Sequence, residues 1–483
     1  MSDVNAVRKE LQAHGQEHLL RFHDELDAPG RKALLEQIET LDLAELDELV
    51  ARCVRRRPEY VPSGEILPPE IVSPRSADAA GQAELDQARA LGEKLIAQGK
   101  VAAFVVAGGQ GTRLGYEGPK GCLEATPVVH KPLFQVFAEQ ILAAGKRGGR
   151  PVPWYIMTSP ANDVATRAFF RQKNHFGMDP KDVMFFAQGT MPALSADGKV
   201  LLADPGNLAL SPNGHGGSLL ALRKSGALED MARRGVEYVS YFQVDNPLVR
   251  CVDPLFVGLH ALRGAEMSAK ALPKRDPLEK LGNFCLVDGK VRVIEYSDMP
   301  EELARQCGPD GRLRFSAGSI AIHVFSRSFV ERLTAGGRCK LPYHRADKKV
   351  PCVDETGKAV KPETPNAVKL EMFVFDAMPL AERTVILETR RSEEFSPIKN
   401  ATGEDSLTSS LHDQVRRAAA WLEAAGVTVP RDADGQVAAA IEISPLFADS
   451  AEELKRKADP KLEIPVGGTV YIGSRGQTGT MKK

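Results

Sequence analysis

The chain has 483 residues, 43% hydrophobic and 26% charged, the composition of an ordinary globular protein with room for roughly three domains. Sixty-three Lys and Arg against 64 Asp and Glu leave a net charge of −1, which excludes a general nucleic-acid or membrane-surface binder. No apolar run approaches the ~20 residues of a bilayer span. The charged N-terminus lacks the apolar stretch of a secretory leader, and seven scattered cysteines without a CxxC pair read as free thiols, so a cytoplasmic protein is expected.

Residues 1–98 read as helical, because Leu19, Phe22 and Leu26, then Leu34, Ile38 and Leu41, recur at three- and four-residue steps. Five prolines between 57 and 75 predict a segment wrapping over a surface, followed by a helix over 79–98. His14 and His18 stand four apart without a clear third metal ligand and read as a solvated helix face. No catalytic constellation falls here, so this part is expected to cap the main domain.

Over 99–394 the rhythm changes. Apolar strands at 101–106, 154–158, 183–187, 238–244 and 267–272 alternate with helices at 132–144, 163–175, 218–225 and 253–263. This alternation predicts an α/β domain with a mostly parallel sheet, whose ligands sit beyond the carboxyl ends of the strands. Over 395–483 one helix at 407–425 and short runs at 437–443 and 469–472 predict a small β-rich C-terminal domain.

The segment after the first strand reads AGGQGTRLGYEGPKG, with six glycines, Arg113 and Lys120 in 15 residues. Glycines let backbone N–H groups close on phosphate, and the two cations neutralise its charge. A dinucleotide fingerprint would need a third glycine where Leu114 stands, and no GxxxxGK[ST] run is present. An NAD-dependent dehydrogenase and a P-loop enzyme are therefore disfavoured. No GxSxG or HExxH motif is present either. SPNGHGG over 211–217 is a second glycine-rich loop entering a helix, and Asp245-Asn246 close an apolar strand where a carboxylate can hold a divalent cation. Glu295 to Asp298 and Phe315 to Ser319 offer short polar groups after short strands, while Lys399 alone reads as a solvated loop lysine.

Taken in order, GGQGTRLG…PKG, FFAQGTMPAL, PNGHGG, VDNPLVRCVDP, EYSD, FSAGSIAIHVF, KLEMFVFD and EEFSPIKN resemble the eukaryote-type UDP-sugar pyrophosphorylases, in particular the UDP-N-acetylglucosamine branch, from about residue 100 to 405. That resemblance implies a Rossmann-like, glycosyltransferase-A-type nucleotidyltransferase domain and the reaction of UTP with a sugar 1-phosphate to give UDP-sugar and pyrophosphate. It implies nucleotide contacts from Gly108, Gly109, Gly111, Thr112, Gln188, Pro212, Asn213, Gly214 and His215. Catalytic charge falls to Arg113, Lys120 and Lys399. Sugar contacts fall to Asp245, Asn246, Gly282, Glu295, Ser316 and Ser319, with Asp245 also on Mg2+ or Mn2+. The branch usually reads Asn at the positions of His215, Ser316 and Ser319. The sugar is expected to be N-acetylglucosamine 1-phosphate, with glucose 1-phosphate or broad specificity as the alternative, and a non-catalytic sugar-nucleotide sensor as the reading from another class. UTP and the sugar phosphate are the partners, and a monomer or weak homo-oligomer is expected.

Overall fold

The structure is a computed structural model that describes residues 3–56, 64–75, 78–474 and the backbone of 478–480. By contact the chain forms two compact units, each assembled from three stretches. The first comprises Met1–Pro62, Gln188–Leu220 and Arg338–Asp376, and the second Ser63–Ala187, Ala221–Gly337 and Ala377–Lys483. The division at 98 and 394 follows chain order, whereas these units interleave.

In the first unit, helices Val4–Ala13, Ala28–Glu39 and Leu43–Leu49 share a core with short antiparallel ladders. Leu11, Leu19, Leu34, Leu194 and Leu370 are buried in it. The expected helix through Leu19 and Leu26 is instead two 3-10 turns, Glu17–Leu20 and His23–Glu25. Gly15 at φ 63° stops the first helix, and a three-residue step still buries Leu19 and Phe22. His14 and His18 therefore lie beyond that helix and share no helical face. Each is half-buried and bonded, His14 Nδ1 to Asp47 Oδ2 at 2.6 Å and His18 Nε2 to the Val200 carbonyl at 2.8 Å.

The second unit is built on a ten-stranded mixed sheet. Val101–Val106 lies at its centre, with Trp154–Thr158 on one side, Tyr238–Gln243 on the other, and Val183–Ala187 beyond Trp154–Thr158, all parallel. Valines, Ala and Phe with both faces covered explain the uninterrupted apolar run VAAFVV. Ala317–Ser326 then pairs antiparallel with Tyr238–Gln243 and also with Met267–Pro273, which runs parallel to Thr384–Glu388. Helix Ala79–Ala97 meets helix Pro254–Leu262 through Ala88, Gly92 and Gly258, whose small size brings the backbones together.

Of the proline-rich segment, 57–63 lies outside the described residues. The rest is tied to the sheet rather than draped over it. Ile66–Leu67 pairs antiparallel with Leu286 and Val287, and Val72 bridges Leu387. The C-terminal part has the expected helix, Leu407–Ala424, and a three-stranded sheet of Ala440–Ile443, Thr469–Ile472 and Thr478–Thr480. Among the described residues no helix is long and apolar enough to cross a membrane.

Candidate active site

In the second unit the chain leaves Val101–Val106 into the glycine loop, at the point where the sheet's connections turn to opposite sides. The loop folds on itself, with Gln110 bridged to Pro119, the Gly111 N–H donating to Gly118 O at 2.9 Å and the Lys120 N–H to Gly109 O at 3.1 Å. Gly111 must be glycine, since a Cβ would lie 2.6 Å from the Tyr116 ring. Gly109 faces open space and is exposed, the arrangement that leaves its backbone accessible to a phosphate. Buried Asn162, which sequence reading missed, donates to the carbonyls of Ala107 at 3.0 Å and Gly109 at 3.3 Å and fixes the loop from beneath. Thr112 opens a 3-10 turn, Thr112–Leu114, in which Arg113 is exposed.

Asp245 and Asn246 follow the neighbouring parallel strand, two and three residues past its end at Gln243. The Asp245 carbonyl accepts the Ile398 N–H at 2.8 Å, and the Ile398 carbonyl accepts from Lys120 Nζ at 3.2 Å. Three predicted residues, Lys120, Asp245 and Lys399, are thus brought together through one backbone position. Asn246 completes the junction: its amide donates to Glu394 O at 2.7 Å and its Oδ1 accepts from Ser396 N at 3.1 Å. Lys399 is exposed, with Nζ 5.5 Å from the Phe395 ring centroid. The Lys399 N–H donates to Asp405 O at 2.6 Å, and burial holds the Asp405 carboxyl above its usual range.

A cavity of about 120 Å³ opens here, lined by Asp245, Asn246, Gly282, Ser319 and Lys399, and by Lys280, which sequence reading did not single out. Ser319 is a strand residue opposite Ala271, not part of a turn after a strand, and its N–H donates to Gly282 O at 2.8 Å. Ser316 lies just before that strand and accepts from Lys274 N at 2.8 Å. Glu295 approaches the same corner, its Oε1 3.4 Å from where a Gly282 Cβ would stand. Lys274 is buried, and desolvation lowers its ammonium below the usual lysine range, although Nζ donates to Asn283 Oδ1 at 2.8 Å.

Beside this cavity is a buried charge cluster without a sequence motif. Lys270, in the middle of Met267–Pro273, has Nζ 2.7 Å from Asp253 Oδ2 and 2.6 Å from Glu394. A lysine inside an apolar strand was the available signal, because a buried ammonium demands carboxylate partners.

In the first unit, Gln188 and Asn213 are buried at the ladder where Thr190 faces Pro212. Asn213 donates its N–H to Gly189 O at 3.2 Å and accepts from Met372 N at 2.9 Å, and Gly216 N donates to Met372 O at 2.8 Å. Gly214 sits at φ 84°, and a Cβ there would fall 2.3 Å from Met372 O. The loop is flattened along strand Ala367–Met372 for want of side chains. His215 Nδ1 accepts from Val374 N at 3.1 Å and its ring stacks on Phe373 at 5.3 Å. Burial, helped by the charge of His344, pushes His215 down to about 4, so the imidazole is neutral with its proton on Nε2.

These loops agree with three comparisons. The family model for UTP–glucose-1-phosphate uridylyltransferase matches residues 55–428. The chain belongs to that family. It is 40% identical to the Homo sapiens UDP-N-acetylhexosamine pyrophosphorylase-like protein 1, over 94% of this chain and 95% of that one. It is 39% identical to the UDP-N-acetylglucosamine pyrophosphorylase of Saccharomyces cerevisiae, over 76% and 77%. The crystal structure of the Trypanosoma brucei UDP-N-acetylglucosamine pyrophosphorylase superposes with a TM-score of 0.77 at 26% identity, covering 94% of this chain and 95% of that one. The family, the α/β fold and the uridylyltransferase class expected from the glycine loop onward therefore hold.

Proposed function

We propose that this uridylyltransferase joins UTP to N-acetylglucosamine 1-phosphate, giving UDP-N-acetylglucosamine and pyrophosphate. The observation that carries the reading is the clamp at Ile398, which gathers Lys120, Asp245 and Lys399 at the carboxyl ends of two parallel strands. The yeast relative's name and the 40% identity to the human protein support the N-acetylated sugar.

The chemistry asks for no protein nucleophile. An anionic oxygen of the sugar phosphate forms a bond to the α-phosphorus of UTP in line, the bond to the β-phosphoryl oxygen breaks, and pyrophosphate carries the electron pair away. Catalysis is then positioning and charge neutralisation. The backbone of Gly108, Gly109 and Gly111, with Thr112, takes the phosphates. Arg113, Lys120 and Lys399 balance their charge. The family resemblance gives the base to Gln188, Pro212, Asn213, Gly214 and His215. Asn246, Gly282, Glu295, Ser316 and Ser319 take the sugar. Asp245 suits Mg2+ or Mn2+, since a single half-buried carboxylate beside a phosphate site is how such ions are held, with substrate oxygens completing the shell. Bound there, the cation would supply further neutralisation of phosphate charge. Seven unpaired thiols support a cytoplasmic setting.

A second sugar, glucose 1-phosphate, is favoured by one observation: serines stand at 316 and 319, shorter than the amide side chain usual in the N-acetylglucosamine branch. Pyrophosphate release with UTP and Mg2+, compared across glucose, N-acetylglucosamine and N-acetylgalactosamine 1-phosphates, decides between them. Highest kcat/KM with N-acetylglucosamine 1-phosphate is expected. Highest kcat/KM with glucose 1-phosphate would overturn the sugar, and no release with any of them would overturn the reaction.

A further inference from the structure

A second cavity in the same unit, about 260 Å³, lies among helix Leu407–Ala424, residues 248–255 and 389–394, and the C-terminal module. None of the residues assigned to substrate lines it. Five arginines do: Arg75, Arg89, Arg250, Arg390 and Arg417. Its inner carboxylates are already engaged from behind. Asp253 and Glu394 share Lys270, Glu442 lies 3.6 Å from Lys131, and Asp449 lies 2.6 Å from Arg147. Glu393 accepts from the Trp421 indole at 2.8 Å, which leaves Glu452 as an exposed rim acid.

The arginines are less well served. Arg417 uses only Nη1, toward the carbonyls of Leu248 and Glu393 at 2.9 Å each, and burial lowers its guanidinium to about 10. Arg250 pairs through Nη1 with Asp253 at 3.2 Å and through Nη2 with Asp449 at 3.5 Å, but keeps a buried Nε with no acceptor. One buried guanidinium donor without an acceptor, beside a second guanidinium bonded through a single nitrogen and lining an open cavity, calls for an anion. The opposite wall is apolar, formed by Leu248, Ala418, Ile441 and the Trp421 ring.

We infer that this cavity is an effector site for a small phosphate monoester with an apolar body, distinct from the substrate site. It is joined to that site by the chain itself. Arg417 holds Glu393 O, Asn246 holds Glu394 O, and four residues later Ile398 holds Asp245. An anion drawing on Arg417 thus bears on the segment that carries Lys399.

The chain has two tryptophans, Trp154, buried against Phe170, and Trp421, which lines the cavity. Their emission is read while the full-length protein is titrated with phenyl phosphate and, separately, inorganic phosphate. A saturable change is expected, tighter for phenyl phosphate, weakened about tenfold or more in Arg89→Gln and Arg417→Gln, and kept in Lys399→Ala. Arg89 lines the cavity and its charge bears on Asp253 without a hydrogen bond to it, so its variant stays informative if Arg417→Gln fails to fold. Phenyl phosphate should also change kcat for pyrophosphate release in the wild type and leave Arg89→Gln unaffected. Equal affinity for both probes would overturn the apolar-bodied monoester in favour of free phosphate. No saturable change, meaning a cavity holding water alone, overturns the site. So does a change lost in Lys399→Ala. Binding without any effect on kcat overturns the coupling.

Discussion

Lys270 Nζ lies 2.6 Å from both carboxylate oxygens of Glu394, in a cluster where Thr389 donates to Glu394 at 2.6 Å and Asp253 takes the remaining side of the ammonium. Glu394 begins the segment that runs to Lys399, so this pair anchors the backbone that carries Lys399. Replacing Lys270 by Met leaves buried Glu394 without its ammonium and Asp253 paired with Arg250 alone. The expected loss is about 3–5 kcal/mol of stability, read from urea unfolding. Thr389→Val, which removes only one hydrogen bond, should cost about 1 kcal/mol and lower kcat more than it raises KM. Wild-type stability in Lys270→Met would contradict the anchor.

Lys120 has a different role. Its single bond to the Ile398 carbonyl contributes little stability. In the proposed reaction its charge serves the phosphates. Lys120→Ala should keep its melting temperature within a few degrees and lose about 100- to 1,000-fold in kcat. Near-wild-type turnover would remove Lys120 from the site.

The two helices behind the sheet touch backbone to backbone. A Cβ on Gly258 would stand 1.7 Å from Ala88 O, and one on Gly92 would stand 1.8 Å from Pro254 O. Gly258→Ala should therefore destabilise by about 2–3 kcal/mol despite alanine's better helix propensity. An unchanged unfolding midpoint would show that the helices do not approach this closely.

His260 is fully buried, with Nδ1 2.7 Å from Ser268 Oγ and Nε2 3.0 Å from Ser326 Oγ, and burial pushes it down to about 3. Unfolding restores an ordinary histidine near 6.5. Between those values the unfolded chain binds the extra proton, so stability falls as pH falls through 6.5 toward 3. From pH 6.5 to 5 the loss is about 2 kcal/mol. Unfolding free energies over that range should show a shallower slope for His260→Gln than for the wild type, and equal slopes would contradict a neutral His260.

Much of this was legible from residue order. Strands 154–158 and 183–187 and the helix from Ala79 appear where pattern places them, because buried parallel strands and amphipathic helices carry their own periodicity. Ala317–Ser326 was not, since a central strand holding Gly318, Ser319 and His323 has no apolar run. Nor was the grouping of the N-terminal helices with 188–220 and 338–376, which rests on contacts far apart in the chain. At the site, the glycine loop and Asp245 could be named from local pattern. Lys399 could be named only through resemblance, Lys270 was signalled only by its place inside an apolar strand, and Asn162 and Lys280 emerged from three-dimensional neighbours alone.

The most direct test of the whole account is the reverse reaction. Purified protein given UDP-N-acetylglucosamine, pyrophosphate and Mg2+ should form UTP and N-acetylglucosamine 1-phosphate in equal amounts, and Asp245→Ala should abolish the formation of both while leaving the fold intact. A wild-type protein that binds UDP-N-acetylglucosamine yet forms no UTP would contradict the account and leave a sensor in its place.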